Sequence, residues 1–85
     1  MSKPLTPDEI RQTVLRLLSE IAPEADLSVV KPDISLRDQL DIDSMDFLNF
    51  VIMIHKTFGV EIAEADYPKY GTLNGCVEQL SGKHV

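Results

Sequence analysis

Tryptophan is absent from this chain of 85 residues, and cysteine occurs once, as Cys76. A lone cysteine excludes an intramolecular disulfide. Nor does a charged n-region followed by an apolar h-region come after Met1, so the expected compartment is the reducing cytoplasm. No basic run or stripe occurs, and 14 Asp and Glu against 8 Lys and Arg leave a formal charge of −6. Such a surface repels phosphate backbones and excludes nucleic acid as a partner. The longest apolar run, "FVIMI" at Phe50 to Ile54, falls far short of the ~20 residues that span a bilayer, so no membrane insertion is expected. The two histidines are widely separated, and no second ligand follows His55 at the spacing a metal needs. Two histidines and one cysteine provide no visible nucleophile, base and orienter, so the chain does not read as an enzyme.

What is present is ordinary for a small globular domain, with 44% hydrophobic and 26% charged residues. A chain of this length buries only about 60 to 65% of its unfolded surface, which leaves room for one core. The expectation is a single domain over residues 1–85, ordered from about 5 to 81. "LTPDEIRQTVLRLLSEIAPE" reads as a first helix, with Thr6 as N-cap, Pro7 in its first position and Glu9 closing a capping box. Ile10, Val14, Leu17, Leu18 and Ile21 recur on one face, and Pro23 ends the helix near Ala22. A long connector from Glu24 to Asp43 follows. Its apolar residues, among them Leu27, Val30, Leu36 and Ile42, should pack over the core, with a turn of helix at Leu36 to Gln39 capped by Ser35.

A second main helix runs from Asp43 or Ser44 to Phe58, stopped by Gly59. Its inner face should carry Phe47, Val51, Ile54 and Phe58, and its outer face Met45, Asp46, Asn49, Ile52, Met53 and Lys56. Pro68 restricts the next segment to a turn or two, where Tyr67 and Tyr70 should pack with their hydroxyls wet. Thr72 then caps a last helix with Leu73, Val77 and Leu80 inward. Cys76 reads as a small buried hydrophobe and His84 as part of a frayed tail. The fold class is all-α: a four-helix bundle with three main helices, one short third helix and a long first loop.

"LDIDSMDF", residues 40 to 47, sets one serine among acids where the second main helix begins. Asp and Ser are preferred caps, so the pair alone reads as a helix start. Such a start also offers unpaired N–H groups and the positive dipole end to an anion. Here the chain resembles the acyl carrier protein family, in which D-S-L or D-S-M opens a helix; this sequence reads Asp43, Ser44, Met45. From about Leu5 to Leu80 the order of elements matches, including "FGVEI" and the T-L-opened last helix. The resemblance implies that Ser44 is esterified by 4′-phosphopantetheine, whose thiol carries acyl groups as thioesters. It implies that Asp43 is read by a phosphopantetheinyl transferase, and that acyl-loading and acyl-transferring enzymes are the other partners.

The chain also departs from that family. Between Asp46 and Glu61 there is no acid, whereas ordinary fatty-acid carriers show several there. Recognition by charge along this helix should therefore be weaker. A partner surface of Asp46, Leu48, Asn49, Ile52, Met53 and Lys56 takes its place, with Met45 adaptable to differently shaped partners. These features point to a specialised, monomeric carrier outside the housekeeping fatty-acid role. "DIDS" does not match the G-G-x-S of peptidyl carriers. The D-S-M form and the ending "DYPKYGTLNGCVEQL" resemble D-alanyl carriers and keep an aminoacyl cargo open. The other alternative is an unmodified helical adaptor. A cargo chain would lie in the interior lined by Val14, Leu18, Val51, Ile54, Phe58, Ile62 and Val77.

Overall fold

The computed structural model describes residues 6–83. Leu5 and His84 lie outside them. Thr6 opens the first helix by a reciprocal pairing: its Oγ1 accepts from the Glu9 N–H at 3.1 Å, and Glu9 Oε1 accepts from the Thr6 N–H at 2.9 Å. Two orphan donors of the first turn are thereby satisfied. The helix, α1, spans Pro7–Ile21, and Ala22 closes it by donating its N–H to Leu18 O at 2.8 Å. Ile10, Val14, Leu17 and Leu18 are buried, and Ile21 is half-buried at the edge.

The connector is ordered by polar bonds. Asp26 caps a single 3₁₀ turn over Leu27–Val29, and a short helix, α2, follows over Leu36–Leu40. Ser35 stands at its N-cap position but makes no side-chain cap bond, so that part of the expectation fails. Two long-range bonds tie this segment to the far end of the chain: Leu36 N–H donates to Gly71 O at 2.7 Å, and Asn74 N–H donates to Pro32 O at 2.9 Å. Gln39 does the rest. Its Oε1 accepts from Lys31 N–H at 2.9 Å, and its Nε2 donates to Lys31 O at 2.8 Å and to Ile34 O at 3.0 Å. With Leu36 wholly buried beneath it, the crossover is a packed strap.

The next main helix, α3, spans Ser44–Phe58, and Gly59 ends it in the left-handed region at φ 68°, donating to His55 O at 2.9 Å. A residue with a Cβ would be strained in that conformation. Phe50, Val51, Ile54 and Phe58 face inward. Phe47 is only half-buried, so the inner face centres on Phe50, whose ring lies 6.2 Å from that of Phe47. Full burial of a side chain this size contributes about 1.5–3 kcal/mol.

A 3₁₀ segment over Glu64–Tyr70, with Pro68 inside it, leads into the last helix, α4, over Leu73–Lys83. Thr72 caps α4 by accepting from the Gly75 N–H at 2.9 Å. Tyr70 departs from expectation. It is wholly buried, and its hydroxyl finds no hydrogen-bond partner among the described residues. α1 packs on both α3 and α4, and α4 packs on the 3₁₀ segment. The fold is all-helical, and no strand occurs among the described residues. No described helix is long and apolar enough to cross a membrane.

Candidate functional site: the start of α3

Two residue types suited to capping stand side by side at this helix end, and the structure separates their roles. Asp43 is the cap: its backbone is extended, and its Oδ1 accepts from the Asp46 N–H at 2.8 Å. The capping bond is complete without the Ser44 hydroxyl. Ser44 is the first helical residue and is exposed, and Asp41, Asp43 and Met45 around it are exposed too. Glycine at position 41 would be unexceptional. Asp41 instead adopts the left-handed conformation at φ 54°, closing α2 and turning the chain sharply toward Ser44.

The electrostatics of this end are mixed. The dipole and free N–H groups of α3 favour an anion, while Asp41, Asp43 and Asp46 oppose one. No Lys or Arg occurs between Arg37 and Lys56. No residue adjoining Ser44 in the sequence is therefore a cation able to pair with a phosphate there. A phosphate could be retained by a covalent ester on an exposed hydroxyl, with water screening the neighbouring carboxylates.

Along α3, Met45 is 64% exposed and Ile52 39%, and Asn49 and Lys56 also face solvent. Asp46 and Leu48 are half-buried, and Met53 is partly taken up by packing against the core. The expected partner residues therefore share a helix, but Met53 offers only part of its side chain.

The expected cargo interior is largely closed, because Val14, Leu18, Val51, Ile54 and Phe58 are buried, all but Val51 within one packed cluster. An open groove of about 260 Å³ lies beside it, between α3 and the 3₁₀ segment, lined by Val51, Ile52, His55, Glu61, Ile62 and Tyr67. Only Val51 and Ile62 belong to the set foreseen. His55 is held at the groove by its Nδ1, 2.6 Å from Val60 O. Nδ1 must carry the proton to donate to that carbonyl, which leaves Nε2 as an acceptor in the neutral ring. No local sequence signal pointed to this contact, because Val60 lies beyond the helix end and is brought back to His55 by the left-handed turn at Gly59. Cys76 plays no part here: it is buried in the core, its S–H donates to Tyr70 O at 3.4 Å, and burial pushes its thiol up to about 12. No group of His, Cys, Asp or Glu among the described residues is placed to hold a metal ion.

An exposed serine at the first position of a capped helix, in a bundle with a long packed crossover, offers a hydroxyl open to modification by a separate enzyme. The family model for the phosphopantetheine attachment site matches residues 12–80. An acyl carrier protein of Lactobacillus johnsonii is 32% identical over 76 residues, covering 89% of this chain and 94% of its own. The polyketide-8 synthase acyl carrier protein 2 of Streptomyces avermitilis is 29% identical over 79 residues, covering 93% and 85%. The acyl carrier protein of Enterococcus faecalis, a solved structure, superposes with a TM-score of 0.78 at 25% identity, over 93% of this chain and 99% of its own.

The chain belongs to the acyl carrier protein family. It is a carrier and not an enzyme, it bears a covalently attached 4′-phosphopantetheine, and its partners include the transferase that installs the arm and enzymes that handle acyl groups. The unmodified adaptor, which would have no arm, gives way to this reading.

Proposed function

We propose that Ser44 is the residue that carries the arm, with Asp43 and Met45 read beside it by the transferase. The observation that carries this is the division of labour at the start of α3: Asp43 makes the cap, and Ser44 is left exposed in the first turn. When bound, the arm supplies a terminal thiol that holds acyl groups as thioesters. The chain's own contribution is positional. α3 fixes the attachment point at the start of a capped helix, where Ser44 is exposed, so the arm can swing. Residues 1–85 act as one carrier domain, a discrete monomeric shuttle of the cytoplasm with specialised partners. Those partners dock on Asp46, Leu48, Asn49, Ile52, Met53 and Lys56, through Met45 and Ile52 more than through charge.

The test is incubation of the wild type, Ser44→Ala and Asp43→Asn with coenzyme A and a broad-specificity phosphopantetheinyl transferase, read by intact mass. The wild type should gain the mass of one arm, Ser44→Ala none, and Asp43→Asn should gain it more slowly while still capped. Undiminished gain by Ser44→Ala would remove Ser44 from the role.

The composition of the α3 groove favours a second reading of the cargo, as an aminoacyl or otherwise polar short group. His55, Glu61 and Tyr67 supply polar atoms to a space just under the ~300 Å³ at which pockets begin to enclose drug-sized ligands. Loading with alanyl and with octanoyl groups separates the two: amide shifts at Ile52, His55 and Glu61 should respond more to the alanyl form if the cargo is polar.

A further inference from the structure

Tyr70 is the largest of the fully buried side chains, at 0% exposure, and it belongs to the core cluster with Ile10, Leu18, Phe50 and Ile54. Its hydroxyl is sealed from solvent with the ring and finds no hydrogen-bond partner among the described residues. Phenylalanine would offer the same ring to the core without a stranded polar group. The hydroxyl is therefore a cost that packing does not explain.

The polar groups that act on it are engaged elsewhere. Cys76 gives its S–H to the Tyr70 carbonyl at 3.4 Å, and the Asp66 carboxylate pairs with Lys69 at 3.2 Å. Burial first, with Cys76 and Asp66 adding to it, raises the phenol above its ordinary value, so at neutral pH it keeps its proton and remains a donor. An acceptor brought to it would meet a donor that has already lost its water.

The approach lies along the 3₁₀ segment. Residues three apart eclipse in a 3₁₀ helix, which puts Tyr70 on the same side of Glu64–Tyr70 as Tyr67, one turn and about 6 Å further on. Tyr67 lines the open groove beside α3 together with Val51 and Ile62. One turn along α3 from Val51 stands Ile54, wholly buried in the same cluster as Tyr70. The groove thus leads toward the phenol.

A group that follows it inward has to part the 3₁₀ segment from α3, because the cluster beyond is packed. A saturated chain that does so leaves the hydroxyl as it was. A chain bearing a hydroxyl or carbonyl supplies the acceptor, and its own oxygen is not left buried without a bond.

We propose that Tyr70 is a specificity-determining residue of the carrier: its hydroxyl bonds an oxygen on the carried chain, so that hydroxyacyl or oxoacyl groups are held in preference to saturated groups of the same length. That the occupant is a chain on the arm rests on the reading of Ser44; the unpartnered hydroxyl does not.

The test loads the apo-protein from hexanoyl-, 3-hydroxyhexanoyl- and 5-oxohexanoyl-coenzyme A with a broad-specificity transferase, confirms one acyl arm by intact mass, and compares urea unfolding. In the wild type at least one oxygenated form should resist unfolding more than the hexanoyl form, by roughly threefold or more in the unfolding constant, the net effect of one hydrogen bond. In Tyr70→Phe the order should reverse, since only apolar burial is left. The Tyr70 ring Cζ signal should move further with that oxygenated form than with hexanoyl. Unloaded Tyr70→Phe should be at least as stable as the wild type; a loss would show that the hydroxyl already has a partner and would overturn the proposal. So would no oxygen preference in the wild type, a preference kept in Tyr70→Phe, or one lost in Tyr67→Phe alone, which would assign the contact to the groove. The mass step keeps the two failures apart. No arm, or an arm that survives Ser44→Ala, counts against Ser44, and loading without an oxygen preference counts against Tyr70.

Discussion

Cys76 and Tyr70 show how single residues set the behaviour of the core. Both are wholly buried, and burial raises both: the thiol from 9.0 to about 12, and the phenol above 10.0, with Cys76 and Asp66 adding to the latter. A group whose native value is raised binds its proton more tightly in the folded state. Its stabilising effect is therefore intact below its unfolded value and is lost as pH climbs toward the native one. Stability should begin to fall near pH 9, continue falling toward about 12, and fall less steeply in Cys76→Ala; urea midpoints between pH 7 and 11 measure this. The same burial protects the thiol chemically. A native thiol assay on the holo-protein should detect the arm alone, and a second thiol should react only on unfolding. Rapid reaction of Cys76 in the native apo-protein would contradict its placement in the core.

At the scale of elements, two glycines do opposite things to their helices. Gly59 ends α3 with a left-handed turn. Gly75 lies inside α4, where glycine ordinarily costs about 1 kcal/mol relative to alanine. It is tolerated because a Cβ there would collide with the backbone carbonyl of Lys69. Gly75→Ala should thus destabilise by about 1–3 kcal/mol despite its better helix propensity, with the loss read as a lowered melting temperature. A gain in stability would mean that the 3₁₀ segment yields easily. The long helices were legible in the sequence because their caps and apolar spacing agree: Thr6 with Glu9, Asp43 before Ser44, Gly59 after Phe58. One assignment inside them failed. Phe50, not Phe47, holds the centre of the inner face, because Phe47 stands in the first turn and packs against the core cluster only in part. The apolar residues of the crossover show in the sequence that it packs, but the Gln39 bonds and the pairing of Leu36 with Gly71 do not, since long-range polar contacts leave no local pattern.

At the scale of the molecule, one helix serves two surfaces. α3 carries Met45 and Ile52 outward along one side, and it lends Val51 and His55 to the groove beside the 3₁₀ segment. Ile52→Asp should therefore reduce turnover by an acyl-handling enzyme while leaving the stability, read by urea unfolding, within about 1 kcal/mol of the wild type's, because Ile52 is already 39% exposed. Met53→Asp should lower both, because Met53 also packs on the core. Of the site, the D-S-M triplet was legible, as its residue types follow from the needs of a helix start. The groove was not, because it forms only where the 3₁₀ segment lies against α3. The account depends most on where the arm is attached. The measurement that tests this directly is fragmentation mass spectrometry of the proteolysed holo-protein, locating the added 4′-phosphopantetheine. The account predicts the whole of it on Ser44. Attachment at another of the serines, Ser2, Ser19, Ser28, Ser35 or Ser81, would contradict it.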